Sequence, residues 1–489
     1  MYLIFKYGYN INMNFIEGNV NFMDKTKGQT LKEELFKNDK CGFETVKNID
    51  EVYSFCDGYI SFLNRCKTER ECARYFVNVL RENGFKDLLN ADELKCGDKV
   101  YYLNRDKALY AAVIGKDSLT EGVNLIGAHI DSPRLDLKPN PLYEAGGFAL
   151  FKTHYYGGIK KYQWTAIPLV IKGVIVLTDG KCVDVNIGEN DDDPIFTITD
   201  LLPHLAGSQM KKSLADGVRG ENLNLLVGSI PFDDEDVSCG VKLNILNILN
   251  KKYGIKETDF YSAELELVPA FKAKSLGFDE SMIAGYGQDD RSCAYASFMS
   301  ILNVQNPSKT SVIVLADKEE VGSVGNTGMY SANFEYFISL LLRKSLLHGC
   351  LLLDVLTKSK MLSADVTSAC DPTYADVDDK FNAAYIGKGL ALCKYTGSRG
   401  KGGASDANAE FVAYVRGIFE SMGLMYQMTD MGKVDEGGGG TIAYILANKG
   451  IDVVDAGVPV LSMHAPYEVT SKFDIYNAYE CYKAFYEAS

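Results

Sequence analysis

Short apolar segments rich in β-branched residues recur along this chain, each bounded by turn-formers and each followed by a stretch of different texture. ALYAAVIG, VNLIGAHI, SVIVLAD (311–317), MLSADV (361–366) and DVVDAGVPVLS (452–462) are of this kind. A short apolar run with little polar alternation suits a strand covered on both faces. RSCAYASFMSILNV, the Leu-rich segment from Tyr336 to Leu347 and DANAEFVAYVRGIFESMG space their apolar residues as helices do. Residues 50–95 carry two further amphipathic helices, VYSFCDGYISFLNRC and ECARYFVNVLRENGF, the second reaching a glycine suited to a helix stop. Alternation of this sort predicts an α/β fold with a mostly parallel sheet covered by helices.

One stretch breaks the pattern. Residues 134–277 contain the β-rich run WTAIPLVIKGVIVLTDGKCVDVNIG, the acidic loops ENDDDP and PFDDED, and the strand ELELVPA. With 489 residues the chain exceeds what one compact core usually holds. The reading is an α/β domain in two parts, 24–133 and 278–489, with a β-rich domain inserted at 134–277. Residues 1–23 read as an extension, the first 22 being either an added segment or a misread start, because Met23 opens a more conventional Lys- and Glu-rich stretch. No repeat with a period of 20–50 residues is present, which excludes solenoids.

A formal charge of -14 opposes binding to nucleic acid or anionic membranes and favours metal cations. The longest apolar stretch, Trp164 to Leu177, is interrupted by Lys172 and falls short of a bilayer span. MYLIFKYGYN has too short an apolar run for a signal peptide. Twelve scattered cysteines form no Cys-x-x-Cys pair and read as small buried hydrophobes, as Cys350 does among its apolar neighbours, so a reducing, cytoplasmic setting is expected.

With five histidines in all, their placement is informative. His129 ends an apolar strand, and strand alternation turns Asp131 to the same side, as a metal-bound imidazole oriented by a carboxylate requires. Taken alone, His-x-Asp more often describes a core histidine on a backbone carbonyl. Asp289 and Asp290 stand together before a helix, where a cation or the helix dipole could hold them. Glu319 and Glu320 follow a buried strand, at the end where open α/β sheets build their sites. One could bind a metal while its neighbour faces substrate as a base; a surface glutamate pair is the alternative, and the buried strand and following glycines leave the two readings even. Asp365 sits among apolar residues that make a lone carboxylate costly. His464 ends another apolar strand. Arriving at successive strand ends, these residues supply the donors for a two-metal site. GYGQDD, VGSVGNTG, GSRGKGGAS and DEGGGGT lack the fingerprints of dinucleotide or phosphate loops and read as turns. His154, His204 and His348 have no acidic neighbour in sequence.

In this order, GAHIDSPR, GYGQDDR, DKEEVGS, SADVTSACDPTY and VLSMHAPYE are motifs of a known group. From about residue 30 to its end the chain resembles the aspartyl aminopeptidase and aminopeptidase I family of zinc peptidases. The resemblance implies a zinc-exopeptidase-like α/β domain interrupted by a β-rich dimerisation domain, with dimers building a tetrahedral dodecamer that encloses its sites. It implies two zinc ions per subunit, replaceable by cobalt or manganese. His129 and Asp365 would hold one ion, Glu320 and His464 the other, and Asp289 would bridge both. Asp131 would orient His129, Glu319 would be the general base, and His204 would reach a neighbouring subunit's site. The segments KYTGSRGKGGASDANAE and KVDEGGGGTIA, which would line the pocket for the first side chain, differ from those of eukaryotic aspartyl members, so either an acidic or a neutral preference is expected. A deacylase of N-acyl amino acids and a non-catalytic metal-binding shell are the rival readings.

Overall fold

The computed structural model describes residues 25–37, 40–397 and 400–488; the expected extension at 1–23 lies outside them. Contacts divide the chain into two units, residues 1–40 and 41–489. The described part of the first is the helix Lys27–Leu35, closed by a capping box between Thr26 and Gln29.

The second unit contains a nine-stranded sheet whose four central strands run parallel in the order Thr310–Ala316, Val123–His129, Lys360–Ser363, Asp452–Gly457. Successive residues of these strands enter opposite cores. Ile126, Ala128, Ile313 and Leu315 pack into one cluster, while Leu125, Val312, Val314 and Met361 pack into the other. Both faces are thus buried, which is why the strands read as unbroken apolar runs. Helices Ile49–Arg65, Glu69–Glu82 and Gln288–Asn303 cover one face and Asn333–Lys344 the other. Asn48 and Thr68 cap the first two through N–H groups of their first turns, satisfying donors the helix itself leaves free.

A seven-stranded antiparallel-paired sheet is built from strands between Arg134 and Pro269 and has its own apolar core around Trp164. A third, five-stranded sheet brings Met282–Gly285 beside Glu468–Ser471. The stretch 452–462, expected as one strand, is two. Asp452–Gly457 belongs to the large sheet and Pro459–Leu461 to the small one. The backbone of Asp365 comes so near at the break that a Cβ on Gly457 would stand 1.6 Å from its carbonyl oxygen. Among the described residues no helix is long and apolar enough to cross a membrane. Of the cysteines, Cys56, Cys66, Cys72, Cys293, Cys393 and Cys481 are buried as expected, Cys350 is half-buried, and Cys96, Cys182 and Cys239 are exposed.

The C-terminal helix Lys472–Glu487 carries a buried carboxyl that makes stability depend on pH. Asp474 accepts N–H bonds from Gly387 at 2.7 Å and Gly389 at 2.8 Å, yet burial outweighs them and pushes its pKa up to about 7. Its folded-state pKa therefore lies above the ordinary value of 3.8, so its contribution is complete below that value and is lost as pH rises through about 7. The stability advantage of the native protein over Asp474→Asn should narrow between about pH 4 and 7. Urea unfolding of the pair across that range checks this; a gap that widens with pH contradicts it.

Candidate metal centre

The parallel strands deliver their side chains to one place because they end together. Ala316 pairs with His129, and Gly127 with Ser363, so Glu319, Glu320, His129 and Asp365 emerge at a common edge. Asp289 comes from the start of Gln288–Asn303, where Asp289 and Asp290 depart from helical dihedrals and are joined by a cis peptide. This differs from an acidic pair ahead of a regular helix, since both carboxylates are buried. His464 lies between Pro459–Leu461 and Glu468–Ser471 with φ of 64°, and Lys318, ahead of the two glutamates, has φ of 66°. Left-handed residues other than glycine carry strain that tends to gather at functional sites.

Asp289 is the hub. Its Oδ1 lies 3.2 Å from His129 Nε2 and its Oδ2 lies 3.1 Å from His464 Nε2. On the outer sides, Asp365 Oδ1 is 3.8 Å from His129 Nε2 and Glu320 Oε2 is 3.5 Å from His464 Nε2. One donor atom each from His129, Glu319 and Asp365 fall within 4.8 Å of one another, and so do donors from His129, Asp289 and Glu320. Both imidazoles are held by their other nitrogen. His129 Nδ1 donates to the Asp131 carbonyl at 3.0 Å and lies 3.3 Å from its carboxylate. His464 Nδ1 donates to the Gly158 carbonyl at 2.7 Å. Both Nε2 atoms thereby face the cluster, as a ligating histidine requires.

Burial pushes the Glu319 carboxyl up to about 7 and raises Glu320 and Asp365 as well. Burial opposes charging of the histidines, yet bonds to Asp131 and Asp289 hold His129 well above its ordinary value, and the bond to Asp289 takes His464 up to about 10. Four carboxylates and two imidazoles meet here; among the described residues no Lys or Arg forms an ion pair with Asp289, Glu319, Glu320 or Asp365, and Glu320 Oε1 is buried without a hydrogen-bond partner. A donor set of imidazoles and carboxylates with an orphaned oxygen fits divalent zinc.

The structure brings His129, Asp131, Asp289, Glu319, Glu320, Asp365 and His464 together. Asp131 is fully buried, and its carboxylate accepts the N–H groups of Glu319 at 3.1 Å and Glu320 at 3.2 Å. His204 is exposed, and no bond or ion pair joins it to the cluster among the described residues. Two residues outside the expected ligand and base set also act here. Glu468 accepts the N–H groups of His464 at 2.8 Å, Gln288 at 2.6 Å and Asp289 at 3.2 Å, tying together the two segments that carry His464 and Asp289. Asp290 accepts the N–H of His129 at 3.2 Å. A glutamate four residues after His464 was the available signal for the first; Asp290 had none beyond its neighbour.

The profile of the Aminopeptidase I zinc metalloprotease (M18) family matches residues 62–486. The chain belongs to the M18 family. A probable M18 family aminopeptidase 1 of Clostridium acetobutylicum is 51% identical over 454 residues, covering 90% of this chain and 96% of the relative. The crystal structure of an M18 aminopeptidase from Thermotoga maritima superposes with a TM-score of 0.89 at 44% identity, covering 92% of this chain and 99% of that one. Aminopeptidase I of C. acetobutylicum gives a TM-score of 0.88 at 48% identity, covering 93% and 100%. Yeast aminopeptidase 1, at 21% identity and a TM-score of 0.72 over 89% of this chain and 96% of that one, shares the fold. This M18 chain is accordingly a zinc metallo-aminopeptidase with the zinc-exopeptidase-like α/β architecture.

Proposed function

We propose that the cluster binds two zinc ions and removes the N-terminal residue from peptides, with Glu319 as general base. The observation that carries this is Asp289, whose two carboxylate oxygens each meet a different imidazole while Asp365 and Glu320 flank the pair. In this reading His129 and Asp365 hold one ion, His464 and Glu320 the other, and Asp289 both. Paired divalent ions supply a Lewis acid and a nucleophilic water at neutral pH. The protein contributes the rest. Glu319 stands beside the ligand atoms of His129 and Asp365, close enough to take a proton from the attacking water and return it to the leaving amine. Asp131 fixes the backbone from which Glu319 projects and the tautomer of His129. The buried acids also suit a free α-amine, which would confine attack to the first peptide bond.

The β-rich residues 134–277 are read as an inserted dimerisation domain, and the chain as a subunit of a tetrahedral dodecamer built from dimers. Leu201, Leu205, Met210 and Leu214, near His204 in sequence, are exposed apolar side chains, which suit contact with a second copy that His204 would then reach. The S. cerevisiae mApe1 dodecamer shares this fold at 22% identity and a TM-score of 0.72, covering 89% of this chain and 96% of that one. Half of the cysteines being buried as free thiols supports a cytoplasmic setting. The first-side-chain pocket is assigned to residues 394–410 and 433–443; Ser398 and Arg399 of the former lie outside the described residues.

A panel of amino-acid anilides, acidic and neutral, run beside N-acetyl amino acids with zinc, cobalt or manganese tests the reading. Anilides with a free amine should be cleaved and N-acetyl compounds should not, because the acyl group removes the charge that the acids recognise. Turnover confined to the N-acetyl series would select the deacylase instead.

A further inference from the structure

The strand Phe148–Tyr156 of the seven-stranded sheet ends at Tyr156 and is followed by Gly157 and Gly158, and these three consecutive residues meet three separate parts of the metal centre. The Tyr156 hydroxyl donates to Asp131 Oδ2 at 2.8 Å. That carboxylate also accepts from the backbone of Glu319 and Glu320 and lies against His129 Nδ1, so one phenol steadies a group on which three cluster residues depend. The ring is itself pinned. Arg134 pairs with Tyr156 across the ladder, and its guanidinium lies 3.9 Å from the ring centroid.

Gly157 leaves room that no other residue would. Its φ is +76°, and a Cβ there would stand 3.1 Å from Glu320 Oε2 and 3.3 Å from Glu320 Cβ. The carbonyl of Gly158 accepts from His464 Nδ1 and so turns Nε2 toward Asp289 and Glu320. A Cβ on Gly158 would come to 3.2 Å from that same Nδ1.

We infer that Tyr156, Gly157 and Gly158 form a positioning strap that sets both halves of the zinc centre, Tyr156 through Asp131 and the glycines through Glu320 and His464. The inference rests on the two-zinc reading above. The seven-stranded sheet then has a task besides assembly: its strand end is a wall of the site. Outer-shell partners of ligating histidines typically change metal affinity by roughly 10–100-fold when removed. Tyr156→Phe keeps the ring over Arg134 and deletes only the hydroxyl. Gly157→Ala crowds Glu320 and should weaken one of the two ions selectively.

The test titrates zinc into the full chain, stripped of metal, against a competing chelator for the native protein, Tyr156→Phe and Gly157→Ala. Thermal midpoints of the metal-free proteins and absorption spectra of the cobalt(II)-loaded proteins are recorded in parallel. For Tyr156→Phe the expected result is zinc affinity at least ~10-fold weaker, an altered cobalt spectrum and a reduced kcat at similar KM, with the metal-free midpoint close to native. For Gly157→Ala one equivalent should weaken far more than the other. Native affinity and spectrum in both variants would overturn the strap while leaving the two-zinc reading intact. A loss of zinc in Tyr156→Phe that merely follows a fall in its metal-free midpoint would overturn it too. Fewer than two zinc equivalents on the native protein would remove the two-zinc reading and the strap with it.

Discussion

Glu319→Gln is expected to lower kcat by about 10²–10⁴-fold, the range a positioned general base contributes, while both zinc ions stay bound. The substitution keeps the length and shape of the side chain and leaves the N–H bond from residue 319 to Asp131 untouched. It removes only the capacity to take up and return a proton. His129, Asp289, Glu320, Asp365 and His464 retain their mutual contacts, so metal content has no reason to fall. Steady-state kinetics and elemental analysis on the same preparation decide the matter. A variant that turns over normally would remove Glu319 from the role of base. One that loses zinc in proportion to activity would make it a ligand, a possibility its closeness to His129 and Asp365 makes worth testing.

Asp289→Ala is expected to abolish binding of both ions, whereas His464→Ala should abolish one. The asymmetry follows from geometry: Asp289 touches both imidazoles through different oxygens, and His464 belongs to one side. Without Asp289 the remaining acids and histidines lose the group that sets their spacing, and the buried charge of Glu320 and Asp365 has no shared cation to answer it. A ligand that binds only the folded state adds roughly 4 kcal/mol when present at a thousand times its Kd. Loss of two ions should therefore bring the thermal midpoint in zinc down to that of the metal-free protein. Elemental analysis after gel filtration and thermal melts with and without zinc provide the measurement. Retention of one equivalent by Asp289→Ala would show that the ions are held independently.

Most of the residues legible in the sequence share one property, that of a chemically reactive side chain at the end of an apolar strand; Asp289, one of an acidic pair before a helix, is the exception. His129, Glu319, Glu320 and Asp365 stand out because their neighbours cannot solvate a charge, and strand ends are where an α/β sheet concentrates its chemistry. The groups that hold them in place left no such mark. Glu468 looks like any loop glutamate until the fold sets its carboxylate beside the N–H groups of Gln288 and Asp289. Gly158 lies 306 positions from the histidine it orients. A backbone carbonyl carries no residue-type signal at all. Likewise, the break within 452–462 depends on the close approach of Asp365 to Gly457, which no local pattern in either stretch encodes. His204 is a further case: it is exposed, and no bond or ion pair joins it to the cluster among the described residues.

Anomalous diffraction from crystals of the zinc-loaded protein, collected on either side of the zinc absorption edge, tests the central claim most directly. Two zinc peaks about 3.5–4 Å apart, one beside His129 and Asp365, the other beside His464 and Glu320, with Asp289 reaching both, are the expected result. A single peak, or zinc bound elsewhere with Asp289 still bonded to the bare imidazoles, would contradict it.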